Sequence, residues 1–404
     1  MKQTLDHPHV ISLAAGFTDY PSLPVKETRT ILRELLAKAK AGQAALQYGA
    51  AAGEPALRRF TAQDLQVFDA VRSVRRHKPP YLPENTLITN GSQQLLYMVT
   101  EALCDEGDIV LVEDPTYFVY LGIAQSRAIE CHGVPLLEDG IDLDALEQKL
   151  AALKRSGDLR RVKMLYLVTY LQNPTGITTR FDKKVAALEL LRRYERHAGH
   201  PLYLVEDGAY RELRFAGRDE RSALAAKGFG DRVIYTSTYS KPFATGIRVG
   251  FGILPEPLFT RVLRIKGNHD FGTANLLQQI LARAIASSRY EMHLADLHAR
   301  YAAKAAVMQQ ARREHFPDWG QWREPEGGLY YWARLPQQCK SGLKSKLFKT
   351  ALAQDVLYVP GELCYANDPT RPKPNHEMRI SFGGASLADI REGIARLGRV
   401  LKGL

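Results

Sequence analysis

Short apolar runs recur along the first two thirds of the chain, separated by segments whose apolar residues follow the period of a helix. The runs that predict strands are 87–89, 109–112, 128–131, 164–170, 202–205, 233–237 and 249–254. The helix-period segments between them include 93–104, 116–126 and 182–197. Strands that alternate with helices need crossover connections, which favours an α/β fold with a mostly parallel central sheet flanked by helices.

The pattern changes after about residue 270. A long helical region at 274–315 precedes a turn and an alternating strand in WREPEGGLYYWARLP, and the chain ends with a helix-period segment at 386–402. This mixture predicts a smaller α+β domain. We expect a large domain at 45–285 and a small domain formed from 1–44 together with 286–404.

Composition excludes several classes of protein. No apolar run approaches the length of a membrane span, and the first residues lack the apolar stretch of a secretory signal. Four cysteines without a CxxC pair predict neither a zinc site nor a disulfide framework, and favour the cytoplasm. The net charge of +11 is spread along the chain, with a dense group at 72–78. Without a nucleic-acid-binding motif, this charge predicts a solvated surface, and we expect no nucleic-acid, membrane or metal partner.

Polar and aromatic residues follow the predicted strands at their carboxyl ends. These segments are EDPTY at 113–117, QNPTG at 172–176, EDGAY at 206–210 and STYSK at 237–241. Ligand sites of parallel sheets lie at the carboxyl ends of the strands. The sequence therefore predicts that these four loops form one site.

Two of the candidate groups are suited to binding a phosphorylated carbonyl compound. Lys241 follows a strand, and its amine could form a Schiff base if burial or a nearby cation lowered its pKa; otherwise it is a surface lysine. Gly91 and Ser92 open a predicted helix whose free amides could bind phosphate, or Ser92 could be an ordinary N-cap.

Three further residues have a functional and a structural interpretation. Asp207 could hold a cationic ring nitrogen or cap a turn. Asn173 could donate to a ligand oxygen, or it could belong only to a proline-glycine turn. Arg379 could bind a carboxylate with both arms of its guanidinium, or it could form a surface ion pair.

Taken together, the order and spacing of these motifs resemble the pyridoxal-phosphate aminotransferases of fold type I, class I/II. Thirty-four residues separate Asn173 from Asp207, and Asp207 from Lys241, and Arg248 follows Lys241 after seven. LQYG at 46–49, VEDPTY and GGLYYW are similar to the 2-aminoadipate and kynurenine aminotransferases, and to the aminotransferase-like domains of MocR-type regulators.

The resemblance implies roles for individual residues. Three residues would be catalytic. Lys241 would form the Schiff base and shuttle the proton, Asp207 would pair with the pyridine nitrogen, and Tyr117 would stack on the ring. Cofactor binding would involve these three together with Gly91, Ser92, Gln93, Asn173, Tyr210, Thr238, Arg248 and, from the neighbouring subunit, Tyr48. Substrate binding would involve Gly16, Phe17, Asn173 and Arg379.

The implied activity is transfer of an amino group from an L-amino acid to a 2-oxo acid by a ping-pong mechanism, in a homodimer with shared active sites. One alternative is another pyridoxal-phosphate reaction on an amino acid: decarboxylation, elimination, cyclisation or oxidation. A second is a cofactor-sensing regulator domain. Fewer than twenty residues precede the shared region, so we expect no winged-helix domain.

The sequence departs from the family pattern at four positions that could reshape the pocket. Proline is usual where Thr169 stands and frequent at Thr245, an acidic residue is frequent at Gly208, and serine is usual at Thr238. Because these changes spare the cofactor-binding residues, the expected cofactor is unaffected.

Overall fold

The computed structural model describes residues 9–71, 80–369 and 371–403. In chain order its strands are β1 (Ile11–Ser12), β2 (Thr86–Thr89), β3 (Ile109–Asp114), β4 (Glu130–Leu137), β5 (Gly140–Ile141), β6 (Val162–Val168), β7 (Tyr203–Asp207), β8 (Val233–Thr238), β9 (Gly250–Ile253), β10 (Gln321–Trp322), β11 (Tyr330–Arg334), β12 (Val356–Leu357), β13 (Val359–Pro360) and β14 (Glu377–Ser381). The first eight residues, Leu404 and the basic segment 72–78 lie outside the described residues.

Helices connect most of these strands. In chain order they are α1 (Val25–Leu36), α2 (Ala39–Leu46), α3 (Pro55–Phe68), α4 (Gly91–Leu103), α5 (Phe118–Ser126), α6 (Leu143–Ser156), α7 (Phe181–Ala198), α8 (Leu258–Asp270), α9 (Asn275–Ala286), α10 (Arg289–His315), α11 (Lys346–Ala353) and α12 (Leu387–Lys402). Within the described ranges, every helix is too short or too polar to span a membrane.

The central sheet has eight strands in the order β2-β9-β8-β7-β6-β3-β4-β5. β3, β4, β6, β7 and β8 pair in parallel, whereas β9 is antiparallel to both of its neighbours and β5 is antiparallel to β4. The predicted mostly parallel sheet is therefore confirmed, with antiparallel pairing towards each end.

The two faces of this sheet are buried in separate cores. In β6, Leu165 and Leu167 belong to one apolar cluster, whereas Met164 and Tyr166 belong to another. Successive strand residues point to opposite faces, so helices on both sides must cover them. This explains why the strand sequences are continuously apolar rather than alternating.

The last third of the chain forms a smaller antiparallel sheet in the order β10-β11-β14-β13, packed with α10 and α12. The start of the chain joins it, because β1 pairs in parallel with β12 and Leu13 lies in the same core. Ile31, by contrast, packs with the core of the central sheet. The domain bounds remain a prediction, and Ile31 shows that α1 has contacts with the large part of the fold.

Two predicted elements differ from the structure for backbone reasons. The strand predicted at 128–131 begins only at Glu130, because Ala128 has a φ of 53° and cannot continue extended backbone. The helical region predicted at 274–315 is divided into α9 and α10 by Ser288, whose φ is 56°.

Candidate active site

The loops after five strands of the central sheet converge on one cavity of about 570 Å³. They follow β2, β3, β6, β7 and β8, and the start of the chain and the smaller sheet complete the wall. The sequence-predicted residues that line the cavity are Gly16, Phe17, Ser92, Gln93, Tyr117, Asn173, Tyr210, Thr238, Lys241, Arg248 and Arg379. The common strand-end position predicted from sequence thus brings the four predicted loops together, whereas Gly16, Phe17 and Arg379 come from the start of the chain and the smaller sheet.

Lys241 presents its amine to this cavity. Its Nζ donates a hydrogen bond of 2.8 Å to the carbonyl oxygen of Gly16. Burial lowers the pKa of the Lys241 amine; Tyr330 opposes this effect, and the positive charges of Arg379 and Arg248 add to it. The surface-lysine interpretation therefore does not describe Lys241, and burial contributes more than the neighbouring cations.

Asp207 is a buried carboxylate at the end of β7. The backbone N–H of Ala209 donates to its Oδ1 at 3.0 Å, and the hydroxyl of Tyr166 donates to its Oδ2 at 3.0 Å. Burial raises the pKa of Asp207 to about 6, and no cation in the described chain is paired with it. Asp207 thus makes the turn-capping contact considered from sequence, while its charge lacks a counter-ion.

The start of α4 and Arg248 lie against each other. Asn90, not Ser92, occupies the N-cap position, and the Asn90 side chain makes no capping bond. Gly91 has a φ of 73°, and a Cβ there would lie 2.5 Å from a guanidinium nitrogen of Arg248. The guanidinium also donates to Ser240 Oγ at 3.0 Å. Uncapped amides and a cation together favour an anion such as phosphate.

Arg379 reaches the cavity from β14. It donates to Asn173 Oδ1 and to the carbonyl oxygen of Ala14, both at 2.7 Å, and its guanidinium lies 4.1 Å from the ring centroid of Tyr330. Asn173 in turn donates to the Tyr210 hydroxyl at 3.3 Å. Arg379 is only 3% exposed, and its hydrogen-bond partners among the described residues are an amide oxygen and a backbone carbonyl, so the surface ion pair considered from sequence is wrong.

Other predicted residues occupy less direct positions. Tyr117 lines the cavity and precedes α5, and burial raises the pKa of its hydroxyl. Thr238 donates to the Val249 carbonyl oxygen at 3.1 Å. Tyr48 lies elsewhere in this chain, 80% exposed, with its ring 5.4 Å from that of Phe271.

Sequence reasoning missed several residues of the cavity wall: Ala14, Ala15, Phe118, Val119, Ser240, Tyr330 and Val359. The GGLYYW motif contains Tyr330, which stands beside Tyr331 in β11. Neighbouring strand residues face opposite sides, so the strand phase decides which tyrosine reaches the site. Pairing of β11 with β14, which aligns Tyr330 with Ser381, fixes that phase.

A strand-end lysine, an anion-binding helix start and a buried carboxylate without a counter-ion define the class of pyridoxal-phosphate enzymes. The sequence model of the family described as aminotransferase class I and II matches residues 8–397. The chain belongs to this family and is a pyridoxal-phosphate-dependent aminotransferase of fold type I.

Relatives with this fold carry several substrate names. The chain is 34% identical to aromatic-amino-acid aminotransferase 1 of Thermococcus litoralis, over 97% of this chain and 88% of the relative. It is 32% identical to the 2-aminoadipate transaminase of Thermus thermophilus, over 98% and 91% respectively. The crystal structure of Pyrococcus horikoshii kynurenine aminotransferase superposes with a TM-score of 0.88 and 30% identity, covering 100% of this chain and 93% of that one.

Proposed function

We propose that this cavity transfers an amino group from an L-amino acid with an uncharged side chain to a 2-oxo acid, in two half-reactions that share Lys241. The observation that carries the proposal is that Lys241 and Arg379 line the same cavity. Arg248 lines it too, beside the uncapped start of α4. An amine, a carboxylate-binding group and an anion-binding group are the parts that this reaction needs.

The residues present fit pyridoxal phosphate. When bound, it supplies an aldehyde for the amino group and a ring that accepts the electrons left on the substrate α-carbon. The phosphate would be held by the first-turn amides of α4 with Gly91, Ser92, Gln93, Thr238 and Arg248. The ring would be held by Tyr117, Asn173, Asp207 and Tyr210, and Lys241 would hold the group covalently.

Lys241 is the proton-transfer group of the proposal. A neutral amine accepts a proton, whereas an ammonium does not, so the lowered pKa of Lys241 favours the reactive form. The position of Nζ beside Gly16, on the cavity wall, places the amine where a proton could be moved at the substrate α-carbon.

Asp207 supplies a fixed negative charge. Burial without a cation raises its pKa to about 6. A protonated ring nitrogen beside it would favour the ionised carboxylate and lower that pKa again. In return, the carboxylate would keep the ring nitrogen protonated.

The charges of the cavity indicate the class of substrate side chain. Its cationic lining residues in the described chain are Lys241, Arg248 and Arg379, and each is already assigned to the lysine, phosphate or α-carboxylate role. A second carboxylate on the substrate would therefore lack a cation, whereas Phe17 and Phe118 offer apolar contacts. The name of the Thermococcus litoralis relative supports an aromatic donor.

We further propose a homodimer with shared active sites. An apolar groove of about 810 Å³ lies between α1, α9 and residues 243–247, and Thr245 lines both this groove and the active-site cavity. Val25 and Tyr48 are 70% and 80% exposed. Large exposed apolar surface favours association. The family resemblance assigns Tyr48 of the second copy to this site. Light scattering measures the mass of the assembly in solution. A fully active protein with the mass of a monomer would contradict the homodimer.

The amount of product formed without an acceptor tests the reaction. Purified holoenzyme mixed with L-phenylalanine alone should release one 2-oxo acid per active site, and added 2-oxo acid should restore continuous turnover. Lys241→Ala should lose about 10⁴-fold or more in rate, whereas Lys227→Ala, an exposed lysine, should behave as wild type. Continuous consumption of the amino acid without any acceptor would favour decarboxylation, elimination, cyclisation or oxidation instead.

A further inference from the structure

Phe118 lines two cavities at once. It is the first residue of α5, and it faces both the active-site cavity of about 570 Å³ and a neighbouring cavity of about 680 Å³. Tyr117 and Val119 line only the first cavity, whereas Leu121 and Gly122, one turn further along the same helix, line only the second. The first turn of α5 is therefore a shared wall.

The ring of Phe118 is held between residues of the two cavities. On the active-site side, its centroid lies 5.4 Å from the guanidinium carbon of Arg379. On the other side, it packs with Tyr365, which lines the second cavity, and with buried Trp332 and Cys364. A side chain fixed by such packing cannot rotate away without opening a void.

The second cavity offers room outside the proposed active site. Its wall combines apolar Leu121 with polar Gln125, His132 and Lys373. Lys241 and Arg379, the residues proposed to bind the amine and the α-carboxylate of the substrate, line the active-site cavity and not the second one. A long substrate side chain could therefore use this space only if the wall were absent.

We propose that Phe118 determines specificity by setting the upper size limit of the donor side chain. The inference rests on the proposed amino transfer, and it assigns the substrate class as apolar or aromatic amino acids that fit without entering the second cavity. Phe118 acts as a steric barrier and takes no part in the chemical step.

The test compares kcat/KM for L-biphenylalanine with kcat/KM for L-alanine. Phe118→Ala should raise this ratio about tenfold or more, because an excluded ring would gain space that a methyl group does not use. Any general weakening of Arg379 affects both substrates alike and cancels in the ratio. Phe118→Leu, which keeps more of the packing, should give a smaller rise and covers the case in which Phe118→Ala does not fold.

Two controls separate the removal of the Phe118 ring between the cavities from a general disturbance of the packing around α5. Leu121→Ala enlarges only the second cavity and should leave the ratio unchanged. Gly122→Trp is tolerable because Gly122 is exposed and nothing lies within 4 Å of a Cβ there; added to Phe118→Ala, it should fill the second cavity and cancel the gain.

Each outcome addresses a different statement. An unchanged ratio in both active Phe118 variants, or a gain that survives Gly122→Trp, would overturn the role of Phe118 while leaving amino transfer intact. Failure of the wild-type enzyme to transfer an amino group from either L-alanine or L-phenylalanine would instead overturn the proposed function.

Discussion

Glu206 and Asp207 are consecutive buried carboxylates at the end of β7, yet the protein treats their charges in opposite ways. Glu206 accepts from Lys184 at 2.8 Å and from Thr169 at 2.7 Å. Asp207 has hydroxyl and amide donors but no cation among the described residues, and burial raises its pKa to about 6. Successive strand residues face opposite sides of a sheet. Glu206, on the sheet face away from the site, has its charge neutralised by Lys184, whereas Asp207, on the face towards the site, has no such partner in the described chain.

Two buried arginines repeat this contrast. Arg211 is paired with Asp69 at 2.8 Å and with Asp219 at 2.9 Å. Arg379 is equally buried, and among the described residues it donates to the Asn173 side chain and to a backbone carbonyl. A buried charge with an internal counter-charge is neutralised within the fold, whereas one without it is suited to a charged ligand.

The largest expected effect is on folding. Glu206→Gln leaves Lys184 buried without a counter-charge, and burial already lowers the pKa of this lysine. The free energy of unfolding should fall by about 3–5 kcal/mol. Urea denaturation of the variant beside wild type measures this loss.

A double variant separates the effect of the charges from the effect of side-chain packing. Glu206→Gln combined with Lys184→Met removes both charges and should recover much of the lost stability. If the double variant is as unstable as Glu206→Gln alone, packing rather than charge is the main contribution of Glu206.

Asp207→Asn should show the opposite pattern, with a large loss of activity and no loss of stability. The amide keeps the shape but removes the charge proposed for the ring nitrogen, so kcat should fall about 100-fold or more. Steady-state assays with saturating cofactor measure this loss. A variant with wild-type kcat would show that the charge of Asp207 is not needed.

The same variant has a pH signature in the cofactor-free protein. The folded pKa of Asp207, about 6, lies above its usual value of 3.8, so the folded state binds more protons. Stability should therefore fall as pH rises from about 4 to about 6, by an upper limit of about 3 kcal/mol. Asp207→Asn lacks this group, so its stability relative to wild type should rise across the same interval. If the difference in stability between Asp207→Asn and wild type were the same at about pH 4 and pH 7, the raised pKa of Asp207 would be contradicted.

Arg379→Lys should have an intermediate effect. Lysine keeps the positive charge but cannot form the paired hydrogen bonds of a guanidinium, so KM for all α-amino acids should rise about tenfold. Arg211→Lys is the matched control, because it changes a buried arginine with internal partners. It should reduce stability with little change in KM. A KM unaffected by Arg379→Lys would place the α-carboxylate elsewhere.

Sequence reasoning recovered the features of this molecule that depend on local pattern. The strand ends and the loops after them follow from apolar runs and turn residues, so the common position of Asn173, Tyr210 and Lys241 was predictable. The pairing of Lys184 with Glu206 was not, because it joins positions of α7 and β7 whose contact depends on tertiary packing. Equally, only the packing of α5 between two cavities shows that Phe118 is a wall residue.

Backbone conformation limited the remaining predictions. Ser92 was considered as an N-cap because serine favours that position, yet the preceding turn places Asn90 there and leaves the amides of α4 uncapped. Arg248 has a φ of 50°, in the left-handed region that an arginine rarely occupies. No local sequence pattern predicts that conformation, which holds the guanidinium against Gly91.

The smallest expected effect concerns Thr238, a position at which serine is usual in the family. Its hydroxyl donates to the Val249 carbonyl oxygen at 3.1 Å and accepts from the Ser240 N–H at 3.0 Å. Thr238→Ser keeps both bonds and removes one methyl group, so kcat/KM should stay within about twofold and stability within about 1 kcal/mol. Thr238→Ala loses the acceptor beside the proposed phosphate position and should weaken cofactor retention, measured by dialysis and absorbance. If Thr238→Ser were as damaging as Thr238→Ala, the methyl group and not the hydroxyl would be the part of Thr238 that the site requires.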